Sequence, residues 1–174
     1  MTAVHEPRRM NWGFVAGTVV VIGLGVMWFY GLVLAPKGNP DRLEDPTFEV
    51  AARTACANSR ERLAALPQAA DATDPASRAD ILDDATDELV DMVDELSSLR
   101  VGTEQDLFLI NSFLSDWDLY IDDRYRHADR LRDEGDVRFT VTVQDGKQQG
   151  VDEILNGFTR VNDIEDCAPP GDLA

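Results

Sequence analysis

Between Trp12 and Ala35 the chain runs for 24 residues without a charged side chain, about 36 Å if helical at 1.5 Å per residue. A stretch of that length crosses a bilayer with some tilt, so the remaining residues must fold as a separate body. Trp12 stands at one end, and Trp28, Phe29 and Tyr30 cluster near the other, where amphipathic rings favour the two headgroup levels. Residues 12–35 are expected to form a transmembrane helix. A secretory signal peptide is the competing reading, because Arg8 and Arg9 precede the run and Val33-Leu34-Ala35 resembles a small-residue cleavage site. The run exceeds the usual signal core of about 7 to 15 residues, and Pro36 would sit just after the cut. Both points favour an uncleaved anchor.

Arg8 and Arg9 lie directly before the span, whereas Lys37 and Arg42 after it are interspersed with Asp41, Glu44 and Asp45. The positive-inside rule then leaves residues 1–11 as a cytoplasmic tail, too short to fold, and carries everything downstream to the extracytoplasmic side. Gly13 and Gly17 form a small-xxx-small pair that would permit weak self-association of the span. Glycine is frequent in such helices in any case.

The whole chain holds 33 acidic against 16 basic residues, a net charge of −17. Of these, 32 acids and 14 bases lie after Ala35, a net of −18 in 139 residues. Counterion release requires clustered Lys and Arg, so nucleic acid is excluded as a partner. The acidity instead suits a protein partner with a basic surface, or serves solubility alone.

Pro36 to Pro46, with three prolines and a glycine, reads as a stalk over 36–46, leaving 47–174 as a helical domain. Its first helix, about Phe48 to Leu66, carries Val50, Ala51, Ala55, Leu63 and Leu66. A second opens at Thr73-Asp74-Pro75, with Asp74 as cap and Pro75 at the first helical position. Its apolar stripe is Leu82, Ala85, Leu89, Met92, Leu96 and Leu99. After a tight link, Thr103 caps a third helix whose seam of Leu107, Ile110, Leu114, Trp117, Ile121, Arg124, Ala128 and Leu131 alternates steps of three and four. Val137 to Val143 is rich in β-branched residues and precedes the turn signal Asp145-Gly146, which predicts a small hairpin or lone strand. A last helix is expected over about Val151 to Asp166, with Val151, Ile154, Phe158 and Val161 on one face and a weak point at Asn156-Gly157.

The expected fold is mainly α, a transmembrane helix followed by an antiparallel up-down four-helix bundle with a β-hairpin at one end. The only cysteines, Cys56 and Cys167, fall early in the first helix of this domain and at the end of its last. In an oxidising compartment two such cysteines most often pair, and alternating helix directions bring them together, so a Cys56–Cys167 disulfide is expected.

The third helix also carries Trp117, Tyr120, Asp123, Arg124, Tyr125 and His127 within about three turns. One reading is a small-ligand or cation-binding pocket near Trp117, Tyr120 and Arg124. The other makes Arg124 a seam residue whose head pairs with Asp123, Tyr120 or a carboxylate of a neighbouring helix and fixes register. His127 is the sole histidine after the span, short of the three or four ligands zinc requires. The D-x-[DN]-x-[DN]-G calcium loop, the G-x-S-x-G, S-x-x-K and H-E-x-x-H motifs, and phosphate loops of the G-x-x-x-x-G-K-[ST] and G-x-G-x-x-G types are missing after the span. Neither a cofactor, a metal, a nucleotide nor a catalytic activity is expected.

A short basic tail, one anchor, Asp116-Trp117, Tyr120, Asp123-Arg124, Ala128 and Leu131, then Asn162 with Cys167-Ala168-Pro169, resembles uncharacterised single-pass membrane proteins of actinobacteria. The likeness covers the third helix, the last helix and the layout. It departs at His127, where that family usually carries an aromatic, and it implies location and layout only. The expected role is a membrane-anchored, non-catalytic interaction or accessory module of the cell envelope; the alternative is the sensor domain with its pocket near Trp117, Tyr120 and Arg124.

Overall fold

The computed structural model describes residues 12–34, 38–99, 101–144 and 148–171. The expected tail 1–11 and the Asp145-Gly146 turn lie outside them. The chain divides into two compact units, residues 1–38 and 39–174.

In the first unit, α1 (Trp12–Phe29) continues as a π-helical turn, Tyr30–Leu34. Residues Val15–Leu34 are long and apolar enough to cross a membrane, and nothing in the protein buries them. Trp12, Trp28, Phe29 and Tyr30 are all exposed. Gly17 is open around its Cα.

The second unit holds α2 (Pro46–Ala64), α3 (Pro75–Ser97), α4 (Glu104–Glu134) and α5 (Val151–Val161), with 3-10 turns at Ala69–Asp71 and Glu165–Cys167. The start signals at Asp74 and Thr103 act as expected, Asp74 accepting from the Ser77 amide at the head of α3. At the head of α2, Asp45 accepts from the Thr47 amide, a cap that the sequence reading does not single out. Thr103 and Asp106 form a reciprocal capping box on α4. Between α3 and α4, Gly102 takes φ +108°, and a Cβ there would stand 2.7 Å from that of Asp106, so the link admits only glycine.

Paired side chains fix the direction of α3 against α4. Arg78 meets Asp136, Arg132 meets Asp80 and Asp83, Tyr125 meets Asp87 and Arg124 meets Thr86. Partners rise along α3 as they fall along α4, so the two helices are antiparallel. Packing then runs in chain order, α2 on α3, α3 on α4 and α4 on α5. What closes the series against α2 is the 3-10 turn Glu165–Cys167 rather than α5 itself.

The last helix is shorter than expected, ending at Val161 instead of Asp166. The cause is a Schellman stop: Asp163 adopts φ +54°, and the Ile164 amide donates back to the Thr159 carbonyl at 2.9 Å while Ile164 itself is buried. Aspartate tolerates this left-handed position where most residues do not. The helix passes through Asn156-Gly157 without a break. Its buried residues are Val151, Leu155 and Thr159, while Ile154, Phe158 and Val161 are half-buried.

Beyond that stop the chain reverses and climbs beside α2. Arg53 Nε donates to the Asp163 carbonyl at 2.7 Å, and Arg60 donates to the carbonyls of Asp166 and Ala168 at 3.0 and 2.6 Å. Between those two arginines Cys56 is bonded to Cys167, with Cα atoms 5.0 Å apart. The expected disulfide is there, reached by the reversal at Asp163 and not by the end of a long helix. Phe48, Ala52, Ala55, Cys56 and Ser59 form the buried face of α2, whereas Val50, expected in its stripe, is exposed.

Two further expectations change. Residues 39–46 are tied to the second unit: Leu43 is buried, its amide donates to Asn162 Oδ1 at 2.8 Å, and the amides of Glu44 and Asp45 donate to Asp106. The stalk read over 36–46 is thus largely part of the domain. The hairpin is absent among the described residues, where the only β feature is one antiparallel bridge, Val143 with Gly150. Helix α5 begins at Val151, which leaves the returning strand no length, and the Thr142 amide is taken by the Asp123 carboxylate. Residues 137–144 form an extended strap along α4 instead.

Candidate functional site

Thirteen of the 31 residues of α4 are buried, too many for one seam. They fall into two rows, each with steps of three and four. The first, Ile110, Trp117, Ile121, Arg124, Ala128 and Leu131, is the expected seam, with Leu107 and Leu114 only half-buried. The second is Asp106, Leu109, Phe113, Asp116, Tyr120, Asp123 and His127. This second row carries the strap and α5. Phe113 stacks on Phe158 at 4.5 Å, and Phe139 of the strap meets Tyr120 and His127 edge-on at 6.1 and 5.3 Å.

Carboxylates of the second row act as clamps on backbone. Asp106 accepts from the amides of Glu44, Asp45 and Thr103 and from the Thr103 hydroxyl. Burial alone would raise its pKa, but those hydrogen bonds outweigh it, and the carboxyl lies below the usual range. Asp123 accepts from the Thr142 amide and hydroxyl at 2.5 and 2.8 Å and is paired with Arg126. Two turns earlier, Asp116 accepts from Gln144.

The cluster singled out from sequence therefore splits. Trp117, Tyr120 and Arg124 come together, with Trp117 edge-on to Tyr120 at 5.6 Å and the Arg124 guanidinium carbon 5.9 Å from the Tyr120 ring centre. Their exposures are 0, 2 and 0%. Arg124 Nε donates to Thr86 Oγ1 at 2.9 Å, and that hydroxyl donates to the Leu82 carbonyl at 2.6 Å. This buried chain joins α4 to α3 through a hydroxyl, where the sequence reading expects an acidic neighbour or Tyr120. Asp123, a candidate partner for Arg124, turns away to the strap. Tyr125 reaches Asp87 at 2.5 Å; partial burial and that carboxylate push its pKa up to about 12.

Beside Asp123 the strap and α4 border a half-open cavity of about 290 Å³, with Arg126, His127 and Arg130 in its wall. Sequence reasoning missed Arg126, Arg130 and the strap residues Thr140 to Thr142. Their signal was the spacing of Asp123, Arg126, His127 and Arg130 by three, one and three, a single helix face. Burial, followed by the charges of Arg130, Arg124 and Arg78, holds the His127 pKa below its ordinary value. Among the described residues no group of three or more His, Cys, Asp or Glu could hold a metal ion.

Comparison of the chain with protein-family models, with curated proteins and with solved structures finds no match.

Proposed function

We propose that the protein is a bitopic, non-catalytic accessory module, with residues 1–11 in the cytoplasm, α1 and its π-helical turn in the membrane, and the second unit outside as a disulfide-closed up-down bundle. The observation that carries this reading is an apolar stretch from Val15 to Leu34 with none of it buried in the protein. Each large apolar side chain left in water forgoes about 1.5–3 kcal/mol of transfer free energy, so such a helix needs lipid around it. The disulfide supports an oxidising compartment for the second unit, in line with the Arg8-Arg9 flank. The acidic surface suits a basic patch on a neighbouring envelope protein, and the layout fits the actinobacterial single-pass proteins it resembles. A sensor pocket centred on Trp117, Tyr120 and Arg124 is less favoured, because those side chains pack against one another and leave almost no surface to a ligand.

The test is alkaline carbonate extraction of membranes, followed by protease treatment of intact spheroplasts. The reading expects the full-length chain in the carbonate-resistant pellet and digestion of the second unit from outside. A carbonate-soluble chain beginning at Pro36 would establish the signal-peptide reading instead, and protection from external protease would reverse the orientation.

A further inference from the structure

The cavity between α4 and the strap brings two arginines together in a unit of net −19, with 32 acidic and 13 basic residues over 39–174. Asp123 is the carboxylate in its wall, and both its oxygens are engaged, by Thr142 and by Arg126. Arg126 commits one terminal nitrogen to Asp123 and Thr142, and a guanidinium has five donors. Arg130 meets both carboxylate oxygens of Glu134 one turn along the same helix, through Nε at 3.1 Å and a terminal nitrogen at 3.4 Å; both groups are half-exposed, and the other terminal nitrogen keeps its donors for a ligand. The third wall residue, His127, is 5% exposed, and its Nδ1 is buried with no hydrogen-bond partner. Buried polar atoms in folded proteins are nearly always partnered; this one is not, although it has almost no surface of its own. With burial and the neighbouring arginines holding it neutral, the ring offers one donor and one acceptor nitrogen.

We propose that this cavity binds a small anion bearing a carboxylate or phosphate group, held by the guanidinium groups of Arg126 and Arg130, with the His127 ring in the wall beside them. A cation is disfavoured because the one carboxylate in the wall is already neutralised. The cavity stands at the small end of ligand sites, which selects compact monoanions and dianions over nucleotides or peptides. The inference stands on the cavity alone and holds wherever the chain resides.

The test uses the full chain in detergent micelles, with its histidines labelled with ¹⁵N. The chain has two, His5 and His127, so His5 serves as an internal control. Succinate and inorganic phosphate are titrated separately, at constant ionic strength held with chloride, while the ring nitrogens are followed. A saturable shift of His127 without one of His5 is the expected result, and the tighter of the two titrations identifies the ligand chemistry. Arg130→Gln leaves the Asp123 to Thr142 clamp intact and should weaken the apparent Kd about tenfold, the loss expected for one charge-assisted contact. Arg62→Gln, on α2 and away from the cavity, should leave the titration unchanged. Linear, non-saturating shifts with both anions, or the same midpoint in Arg130→Gln, would overturn the proposal. Retained dispersion of the His127 resonance in each variant shows that the fold survives and keeps either outcome interpretable.

Discussion

Two helices of this protein, α1 and α4, invert each other. Along α1 the apolar side chains are on the outside, exposed from end to end, whereas along α4 charged and polar side chains are on the inside, with Asp106, Asp116, Asp123, Arg124 and His127 all buried. Hydropathy alone therefore sets neither pattern. An exposed apolar helix points to a different solvent. A buried charge points to partners, and in α4 the carboxylates meet backbone amides and the guanidinium meets a hydroxyl and an aromatic ring.

That contrast can be attacked in order of expected effect. The largest concerns the bond that locks the acidic unit. It closes a separation of 111 residues, and in the chain-entropy account its reduction should cost about 5 kcal/mol. Urea unfolding of the unit with and without reductant reads this directly, and an unchanged midpoint would show that packing and the arginine contacts hold α2 without the bond.

Next comes Arg124→Ala, which removes a fully buried cation, empties its space and leaves Thr86 short of a partner. Losses of about 3 kcal/mol follow the breaking of such buried contacts. Arg42→Ala, which removes an exposed pair with Asp163, should cost less than about 0.5 kcal/mol. Equal melting temperatures would sink the register role of Arg124.

Asp106→Asn is a smaller change, about 2 kcal/mol at neutral pH, because charge-assisted bonds become neutral ones and one acceptor becomes a donor. It also carries a pH signature. The folded pKa of Asp106 is lowered, so its contribution is complete above the unfolded value near pH 4 and is lost as pH falls through the folded value. Denaturant midpoints measured at pH 7 and pH 3 should converge for the wild type and Asp106→Asn at the lower pH.

The smallest expected effect is at the strap. Asp123→Asn should cost about 1 kcal/mol and speed hydrogen exchange at the Thr142 amide, while amides at the centre of α3 keep their protection.

Much of this architecture could be read in the residues because its causes are local. The uncharged run, the caps at Asp74 and Thr103, the glycine link and the seam from Ile110 to Leu131 each lie within a few turns of their own determinants. The features that escaped depend on partners distant in sequence. The second row of α4 mixes aspartates with aromatics and looks like a solvated face until Phe139, Thr142 and Phe158 are laid upon it. Val137 to Val143 has a strand's composition, but its hydrogen bonds go to carboxylates 19 and 28 residues earlier, so no second strand is needed. The stop at Val161 rests on an aspartate in a position usually given to glycine, a weak signal in sequence. Arg126 and Arg130 were passed over because each, taken singly, reads as a surface base on an acidic helix.

The central claim is that α1 delivers the acidic unit to a compartment where Cys56 and Cys167 oxidise, and thiol state in living cells tests it most directly. Cells are quenched in acid, and the denatured protein is treated with a maleimide-polyethylene glycol reagent, for the full chain and for a chain beginning at Pro36. The account predicts no mass shift for the full chain until reductant is added, and two added tags without reductant for the cytosolic fragment. Two freely tagged thiols in the full-length protein would contradict it.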